Sequence, residues 1–413
     1  MDAEGSGRSP AQRRWELGHR GFGGGRLIAV CQCLLLVLSL AGGAWLGASD
    51  DAEDAGRDSI YKYLALWEEV LRLIRGSYVE ETDGRSLTAG AMDGVTDALD
   101  PFSVYVPASE VESYLAAREV GRRHSGVLVL KERGIAHVVA VDGGSPAEIA
   151  GLEPGDIVAG INGRSSRAMP LWELRRQLAG PVGSELTLEL VRRGSSIEAS
   201  LTLDEYEPLP PEFEEIRGVG VLRISSFGSG TTAQVEALLD GYAGDSLLID
   251  LRGVAGGSAE AAYAVAGLFA GGELGSLIDR EDRKLETFEG AGGLYSGDIE
   301  VLTDRSSQGP AEILTAVLRQ AVDADHSGES TFGYAGTLQQ IALSNGGGVL
   351  ETTAAFYTDP EGERLNRRIR VSDERRLGML AFRERDDGSD PVLDEALDLI
   401  WGILEAPAEP NQQ

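Results

Sequence analysis

The spacing of apolar residues predicts alternating helices and strands along most of the chain. Residues 58–121 carry apolar positions at helical spacing, which predicts an N-terminal helical segment with helices at Ile60–Ser77 and Ser86–Leu99. Residues 122–204 contain short alternating runs separated by turn residues, which is typical of a small β-rich domain. From residue 213 to 385, β-prone apolar runs alternate with helical patterns, which predicts an α/β core.

The N-terminus has a different pattern. Residues 1–26 form an arginine-rich tail, and Leu27–Ala48 contains no charged residue. At about 1.5 Å per residue, a helix of that length spans a bilayer core. The arginine excess before the apolar run predicts a single-pass anchor in the inner (cytoplasmic) membrane, with the tail in the cytoplasm and the body on the periplasmic or extracytoplasmic side. A cleaved signal sequence is the alternative, because Leu46-Gly47-Ala48 suits a small-residue cleavage site.

The candidate chemistry lies in the stretch from Val301 to Gln340. A short strand at Val301–Thr303 precedes a tight loop, and Gly309-Pro310 then opens a helix with apolar residues at helical spacing. N–H groups at a helix N-terminus stabilise developing negative charge. This arrangement of strand, loop and helix therefore suits a nucleophile.

This stretch resembles the catalytic segment of the C-terminal processing, or tail-specific, serine peptidases. That family carries a motif like G-S-A-S-A-S-E-I, in which the serine three residues before the glutamate is the nucleophile, and then T-F-G-K-G-x-x-Q, in which the lysine is the base. Glu312-Ile313-Leu314 matches the end of the first motif, and Thr331–Gln339 matches the second. The nucleophile position falls on Gly309, and the lysine position falls on Tyr334 or on its neighbour Ala335. The resemblance implies that no catalytic dyad is intact, with Gln339 as a remnant of the second motif.

The lysine content supports a missing dyad. The chain has three lysines, Lys62, Lys131 and Lys284, and none follows Lys284. Arginine does not replace a lysine base, because its guanidinium stays protonated. Two alternatives stay open from the sequence: an active serine endopeptidase with relocated residues, and a small-molecule binder in the old cleft. In the active peptidase, Ser307, the fallback nucleophile, or Ser306 would attack, with His326 or Tyr334 as base.

A second resemblance covers residues 122–204, which look like a PDZ domain. Gly143–Ala147 and Ala150–Asp156 form the recognisable G-S-P-A…A-G-L-x-x-G-D run. The residues that resemble the carboxylate-binding loop and the strand after it are Ser125, Gly126, Val127, Leu128 and Val129. PDZ domains bind peptide C-termini by adding a strand to an exposed sheet edge. The resemblance implies that peptide or protein C-termini are the partners; the alternative is a packing or gating module.

A third match lies in the α/β core. Asp250-Leu251-Arg252 with Gly256 and Gly257 resembles the family's D-L-R-x-N-P-G-G, a loop whose backbone amide helps to form the oxyanion hole. The resemblance implies a ClpP/crotonase-like α/β core with N-terminal helices and an inserted PDZ domain, preceded by one transmembrane helix. An amphipathic helix within residues 386–404 closes the chain.

Composition limits the remaining options. The 413-residue chain has a net charge of −30, which argues against nucleic acid as a partner. The only cysteines, Cys31 and Cys33, lie in the apolar run, so the body has no disulfide and no thiol nucleophile. The histidines show no ligand spacing, and we expect no metal and no cofactor. The sequence thus favours a membrane-anchored, dyad-less peptidase relative that binds peptide tails and works beside a partner protease.

Overall fold

The computed structural model describes residues 61–372, 375–377 and 389–402. The predicted tail at 1–26 and the predicted membrane span at 27–48 lie outside these residues, so the anchor stays a prediction. Within the described ranges, no helix is both long enough and apolar enough to cross a membrane. The chain divides into two compact units, Met1–Gly84 and Arg85–Gln413. In the first, a helix that we call α1 covers the described residues 61–77, which lie within the predicted helix Ile60–Ser77.

Helix α2 (Gly84–Asp97) leads into the second unit, two residues earlier than predicted at each end. A turn follows in which one carboxylate oxygen of Asp100 accepts hydrogen bonds from the N–H groups of Phe102 and Ser103, both at 2.8 Å. The turn delivers strand β1 (Val104–Val106), which the sequence analysis did not predict. Strand β1 pairs antiparallel with residues 349–351 and is followed by helix α3 (Val111–Val120).

The region that resembles a PDZ domain forms its own sheet with two helices. The strands are β2 (Val127–Glu132), β3 (Ile135–Val141), β4 (Ile157–Ile161), β5 (Arg164–Ser165), β6 (Glu185–Arg192) and β7 (Ser195–Thr202), and the helices are α4 (Pro146–Ile149) and α5 (Leu171–Leu178). The strand order is β2-β3-β4-β6-β7, with β5 paired to β4. Strand β2 is therefore an edge strand, as strand addition requires.

The α/β core is built from nine further strands and four helices among the described residues. The strands are β8 (Glu212–Ile216), β9 (Val219–Arg223), β10 (Ser246–Asp250), β11 (Gly271–Ile278), β12 (Lys284–Ala291), β13 (Asp298–Thr303), β14 (Asp325–Gly328), β15 (Gly336–Ala342) and β16 (Val349–Tyr357). The helices are α6 (Thr231–Leu239), α7 (Ala259–Phe269), α8 (Pro310–Ala321) and α9 (Pro391–Ile400). This mixed α/β architecture agrees with the predicted class, whereas the finer likeness to a crotonase core stays a prediction.

Two sheets organise the core. One has the order β14-β13-β10-β9-β8, in which β9, β10, β13 and β14 are parallel and β8 is antiparallel. The other has the order β1-β16-β11-β12, with β15 on the second side of β16. Helices α7 and α8 supply much of the main hydrophobic core, which includes Tyr263, Ile313 and Val317. Because β10 and β13 are parallel neighbours, the loops after them meet at one sheet edge, which is where the candidate site lies.

Two helix ends differ from the prediction. The notable position at the start of α6 is Thr231, at which threonine is expected from the sequence to cap the helix; Gly230 is the N-cap instead, and the Thr231 hydroxyl accepts a hydrogen bond from the N–H of Gly228 outside the helix. Helix α9 is shorter than the predicted segment 386–404. It begins after Asp390, which is its N-cap. The Asp390 side chain accepts a hydrogen bond from the N–H of Leu393 and so caps the N-terminus of the helix.

A charged cluster fastens α9 to the end of β10. The guanidinium of Arg252 donates to the buried carboxylate of Asp250 at 2.6 and 2.9 Å and to Asp390 at 2.6 and 3.0 Å. Burial opposes ionisation of Asp390, but the hydrogen bonds from Arg252 lower the pKa of its carboxyl. The cluster therefore holds the loop after β10 by charge-assisted hydrogen bonds.

We expect Arg252→Leu to lower the free energy of unfolding by about 3 kcal/mol, because it leaves the buried carboxylate of Asp250 without its main partner. Arg217→Leu is the matched control, since it breaks exposed ion pairs to Asp394 and Asp398 and is expected to cost at most about 1 kcal/mol. Urea denaturation followed by circular dichroism measures both. Equal losses in the two variants would contradict the structural role of the Arg252 cluster.

Candidate functional site

The first residue of interest is Gly309, which stands where the family motif has its nucleophile. It is the N-cap of α8 and has φ 56° and ψ −105°, a conformation that favours glycine. A Cβ atom built on Gly309 would find nothing closer than the Tyr334 carbonyl oxygen at 3.9 Å. The site thus has room for a side chain but carries none, so Gly309 supplies neither a nucleophile nor a proton.

The backbone around Gly309 is held by one buried carboxylate, that of Glu312. One oxygen of this carboxylate accepts from the Thr331 hydroxyl and the Gly333 N–H, both at 2.6 Å. The other accepts from the N–H groups of Gly309 at 3.1 Å and Tyr334 at 2.8 Å. Burial raises the pKa of Glu312 to about 7, although all four donors oppose the rise. Glu312 therefore joins the start of α8 to the turn at 331–334, the two segments that match the family motifs.

Tyr334, at the lysine position, belongs to an aromatic cluster. Its ring stacks on Phe102 with centroids 4.0 Å apart, and its hydroxyl lies 2.9 Å from that of Thr353. Burial raises the pKa of Tyr334 to about 12, so the phenol keeps its proton near neutral pH and is a poor base. The neighbouring candidate, Ala335, is buried and its N–H donates to Leu365, while Gln339 is exposed on β15.

The fallback nucleophiles lie in the loop between β13 and α8. Ser307 is fully buried; its hydroxyl accepts from the N–H of Asp304 and lies 2.9 Å from the Leu251 carbonyl, to which it donates. Ser306 is 3% exposed, and its N–H donates to Asp304. In the part of the chain that the structure describes, neither serine hydroxyl hydrogen-bonds to a histidine or a lysine. These contacts assign Ser307 to loop structure.

His326 lies on β14, and its side chain, like that of Ser307, is engaged in a hydrogen bond within the core. Its Nε2 is 2.7 Å from the hydroxyl of Thr303, and that hydroxyl donates to the carbonyl of Glu329. The histidine must therefore be the donor to Thr303, which leaves Nδ1 as the unprotonated nitrogen of a neutral ring. Burial lowers the pKa of His326 to about 3. His326 is a neutral, weakly basic core residue.

One lysine comes closer than the sequence suggested. A cleft of about 910 Å³ between the PDZ-like sheet and the core is lined by Tyr334 and, from β2, by Lys131. Strand β2 thus brings a lysine to the cleft that Tyr334 lines, although no lysine follows Lys284 in the sequence. Burial lowers the pKa of Lys131, but its ammonium donates to the carbonyls of Met169 and Arg167 in the PDZ-like region. These bonds already occupy two of its donors.

The loop that resembles the oxyanion loop is closely packed. Gly257 has φ 111° and pairs with Phe227, and the N–H of Gln308 donates to the Val254 carbonyl at 2.8 Å. The guanidinium of Arg122 donates to the Ala255 carbonyl at 3.1 Å. A Cβ atom at Gly256 would lie 2.2 Å from an Nη atom of Arg122.

The sequence analysis missed Arg122. The same guanidinium lies 3.3 Å from Asp142, which accepts a hydrogen bond from the hydroxyl of Tyr206. Arg122 thus places positive charge beside the loop at 254–257 and ties that loop to the PDZ-like domain. In the sequence, Arg122 is one of many arginines and carries no motif that marks it as functional. Only its contact with Ala255, 133 residues away in the chain, sets it apart from the others.

The predicted carboxylate-binding loop forms a closed turn at its start. The N–H groups of Ser125 and Gly126 both donate to the carbonyl of Arg122, so they are already satisfied. Val127 and Val129 point into the core of the PDZ-like domain, whereas Leu128 packs in a different cluster. The binding capacity of this segment therefore rests on the free edge of β2 rather than on the first two N–H groups.

The cluster around Leu128 joins α5, which the PDZ resemblance makes the wall of the peptide groove, to the segment 102–114, which we call the N-terminal strap. Leu171 and Trp172 of α5 pack in it together with Phe102 and Tyr114. The indole N–H of Trp172 is buried and has no partner among the described residues. The wall of the predicted peptide groove thus rests on the segment that precedes the PDZ-like domain.

Comparison with known proteins decides the family. Residues 218–373 match the model of Peptidase family S41, and residues 137–192 match that of the PDZ domain. Carboxy-terminal processing protease CtpB of Bacillus subtilis is 27% identical over 332 residues, which are 78% of this chain and 68% of the relative. Over residues 218–373 the chain belongs to Peptidase family S41, and the relatives it resembles are C-terminal processing proteases. Its α/β core is an S41 peptidase core, and the region with the β2-β3-β4-β6-β7 sheet is a PDZ domain.

Further relatives of this family agree. Carboxy-terminal processing protease CtpA of Bacillus subtilis is 27% identical over 310 residues, and the alignment covers 71% of this chain but 65% of that protein, just under two thirds. Among solved structures, the photosystem II D1 C-terminal processing protease aligns with TM-score 0.61 and 22% identity, over 80% of this chain and 96% of that one. This structural match shows the shared fold alone.

Glu312→Gln tests the frame of the site. We expect a loss of about 1–3 kcal/mol in the free energy of unfolding, because the amide NH₂ would face two N–H donors that now meet a carboxylate oxygen. Glu236→Gln makes the same side-chain change at an exposed site on α6 and is expected to leave stability unchanged within about 0.5 kcal/mol. Urea denaturation midpoints at pH 7 provide the comparison. If Glu312→Gln were as mild as its control, the carboxylate would not hold the two segments.

Proposed function

We propose that this C-terminal processing peptidase relative binds peptide or protein C-termini without hydrolysing them. One observation carries the proposal: at the start of α8 the family's nucleophile position is a glycine, and the base position is a stacked, protonated tyrosine. Hydrolysis through an acyl-enzyme needs a hydroxyl beside a neutral base. The described residues offer neither at Gly309 and Tyr334.

The contacts that hold the two motif segments together are present, which favours peptide binding at the cleft beside them. Glu312 still holds the two motif segments together, the loop at 254–257 still lies against them, and β2 still presents a free sheet edge. A buried carboxylate with four donors is costly to lose but does no chemistry itself. Binding by strand addition at β2 uses the backbone, so it does not depend on the missing dyad.

Active hydrolysis is the second candidate, because the Bacillus subtilis relatives are named as proteases. It would require Ser306 or Ser307 to act with an unusual base. Ser307 is fully buried and donates to a carbonyl oxygen, and burial lowers the pKa of His326 to about 3. These contacts favour binding over turnover.

The setting is part of the proposal. The uncharged run at 27–48 supports a single-pass anchor in the inner membrane, with the PDZ domain and the core on the periplasmic or extracytoplasmic side. A bound but uncut tail there would be handed to, or kept from, an active protease, which makes such a protease the natural partner. The folded-over sheet of a crotonase-like core is the finer fold that this family membership supports.

A peptidase assay tests the missing chemistry. We expect peptides with apolar, free C-termini to remain intact with the wild-type protein, because no hydroxyl stands at the family's nucleophile position. CtpB of Bacillus subtilis serves as the positive control under the same conditions. Chromatography and mass spectrometry detect cleavage. Turnover by the wild type that disappears in Ser307→Ala or Ser306→Ala would establish an active peptidase.

Gly126→Ala tests binding at the PDZ edge. A Cβ atom there would lie 2.0 Å from the Cβ of Ser145, so the start of β2 must shift, and we expect peptide affinity to fall at least about tenfold. Gly183→Ala is the matched control, because Gly183 also has positive φ (82° against 73°) but open space around it. Fluorescence anisotropy with a labelled peptide measures both. Equal affinities in the two variants would remove β2 from the binding site.

A further inference from the structure

The cleft between the PDZ domain and the core has an arginine-rich rim that the proposed function does not use. Its volume is about 910 Å³, and its apolar wall includes Leu130, Phe332 and Phe356. Three arginines from three different segments line it: Arg133 from the β2–β3 turn, Arg280 from the β11–β12 turn, and Arg368 after β16. All three are exposed, and none of their guanidinium groups has a hydrogen-bond or ion-pair partner among the described residues.

Most of the other charged side chains that line the cleft have hydrogen-bond or ion-pair partners. Lys131 donates to two carbonyls, and Arg364 pairs with Asp282. Asp100 accepts from two backbone N–H groups and two hydroxyls, and Asp279 pairs with Arg283. Asp97 lies close enough to Lys131 to oppose the lowering of its pKa. Five basic side chains line the cleft against four acidic ones, so the net charge of the lining is positive; they are Lys131, Arg133, Arg280, Arg364 and Arg368 against Asp97, Asp100, Glu132 and Asp279.

This rim is unusual in so acidic a chain. The protein has 67 acidic against 37 basic residues, and most exposed surface should therefore repel anions. Three unpaired guanidinium groups around one concave, partly apolar cleft reverse that sign locally. Such a cleft complements a ligand with apolar groups and carboxylates.

The cleft is also lined by a stretch of β16 whose backbone has no strand partner on one side. On one side of β16, strand β1 pairs as far as Glu351 and strand β11 begins to pair at Phe356. The four residues between them, 352–355, have no strand partner on that side, and all four line the cleft. An extended peptide can hydrogen-bond to such an open edge, whereas a small anion would not need it.

We propose that this cleft binds the acidic segment of an extended peptide, with its carboxylates on Arg133, Arg280 and Arg368 and its backbone along residues 352–355. The inference rests on the proposed function, since the PDZ edge captures the tail whose upstream part enters the cleft. It adds a preference for substrates with acidic residues upstream of the C-terminus.

Labelled peptides test the proposal on the full-length protein by fluorescence anisotropy. One peptide carries glutamates upstream of an apolar C-terminus, a second carries glutamines instead, and each is also made with an amidated C-terminus. We expect the glutamate peptide to bind at least about tenfold more tightly than the glutamine peptide at low salt, with the advantage shrinking as salt screens the charges.

Charge reversal assigns the effect to the rim. In the triple variant Arg133→Glu, Arg280→Glu, Arg368→Glu we expect the preference for glutamate to disappear while the glutamine peptide still binds. The control is Arg72→Glu with Arg75→Glu, which changes exposed arginines on α1 that do not line the cleft, and which should keep the preference. Circular dichroism checks that the variants fold.

The outcomes separate the two proposals. Equal binding of the glutamate and glutamine peptides by the wild type, with loss on amidation, would overturn the acidic preference and leave tail capture standing. Loss of the preference for glutamate in the α1 control would show that the preference reflects the net charge of the whole protein, and it would overturn the role of the three rim arginines. If neither free-carboxylate peptide binds, the proposed function fails and the cleft proposal fails with it.

Discussion

The buried carboxylate of Glu312 is the interaction on which the site depends. It accepts four hydrogen bonds and so fixes the start of α8 against the turn that carries Tyr334. The clamp works without a nucleophile or a base, because none of its donors belongs to a reacting group. The clamp therefore holds the two motif segments together whatever side chains stand at the dyad positions. Gly309 suits this frame, since its φ of 56° is easily adopted by glycine.

Tyr334, at the position that matches the family's lysine, is a packing residue. Tyr334 stacks on Phe102, and Phe102 in turn contacts the α5 residues that form the groove wall. An aromatic ring gains apolar contacts there, whereas a lysine would have required a partner for its ammonium. Tyr334 is thus part of the cluster that joins the strap, the PDZ domain and the core.

Much of the site could be predicted because its signals are local. The register between Gly309, Glu312 and Tyr334 follows from counting along two motifs, and the PDZ run at 143–156 fixes its own turns. What sequence reasoning missed depends on distant pairing. Strand β1 meets a partner near residue 350, Lys131 enters the cleft on β2, and Arg122 reaches the loop at 254–257. No local pattern of apolar or polar positions encodes such long-range contacts.

The central claim is that no acyl-enzyme forms in this protein, and oxygen exchange tests it directly. A serine peptidase that acylates on a peptide carboxylate exchanges the oxygens of that carboxylate with ¹⁸O-labelled water, even when net cleavage is undetectable. Mass spectrometry of a bound peptide after long incubation should show binding but no ¹⁸O uptake above background, with CtpB of Bacillus subtilis as the exchanging reference. Uptake in the wild type that is lost on replacing Ser306 or Ser307 would contradict the account.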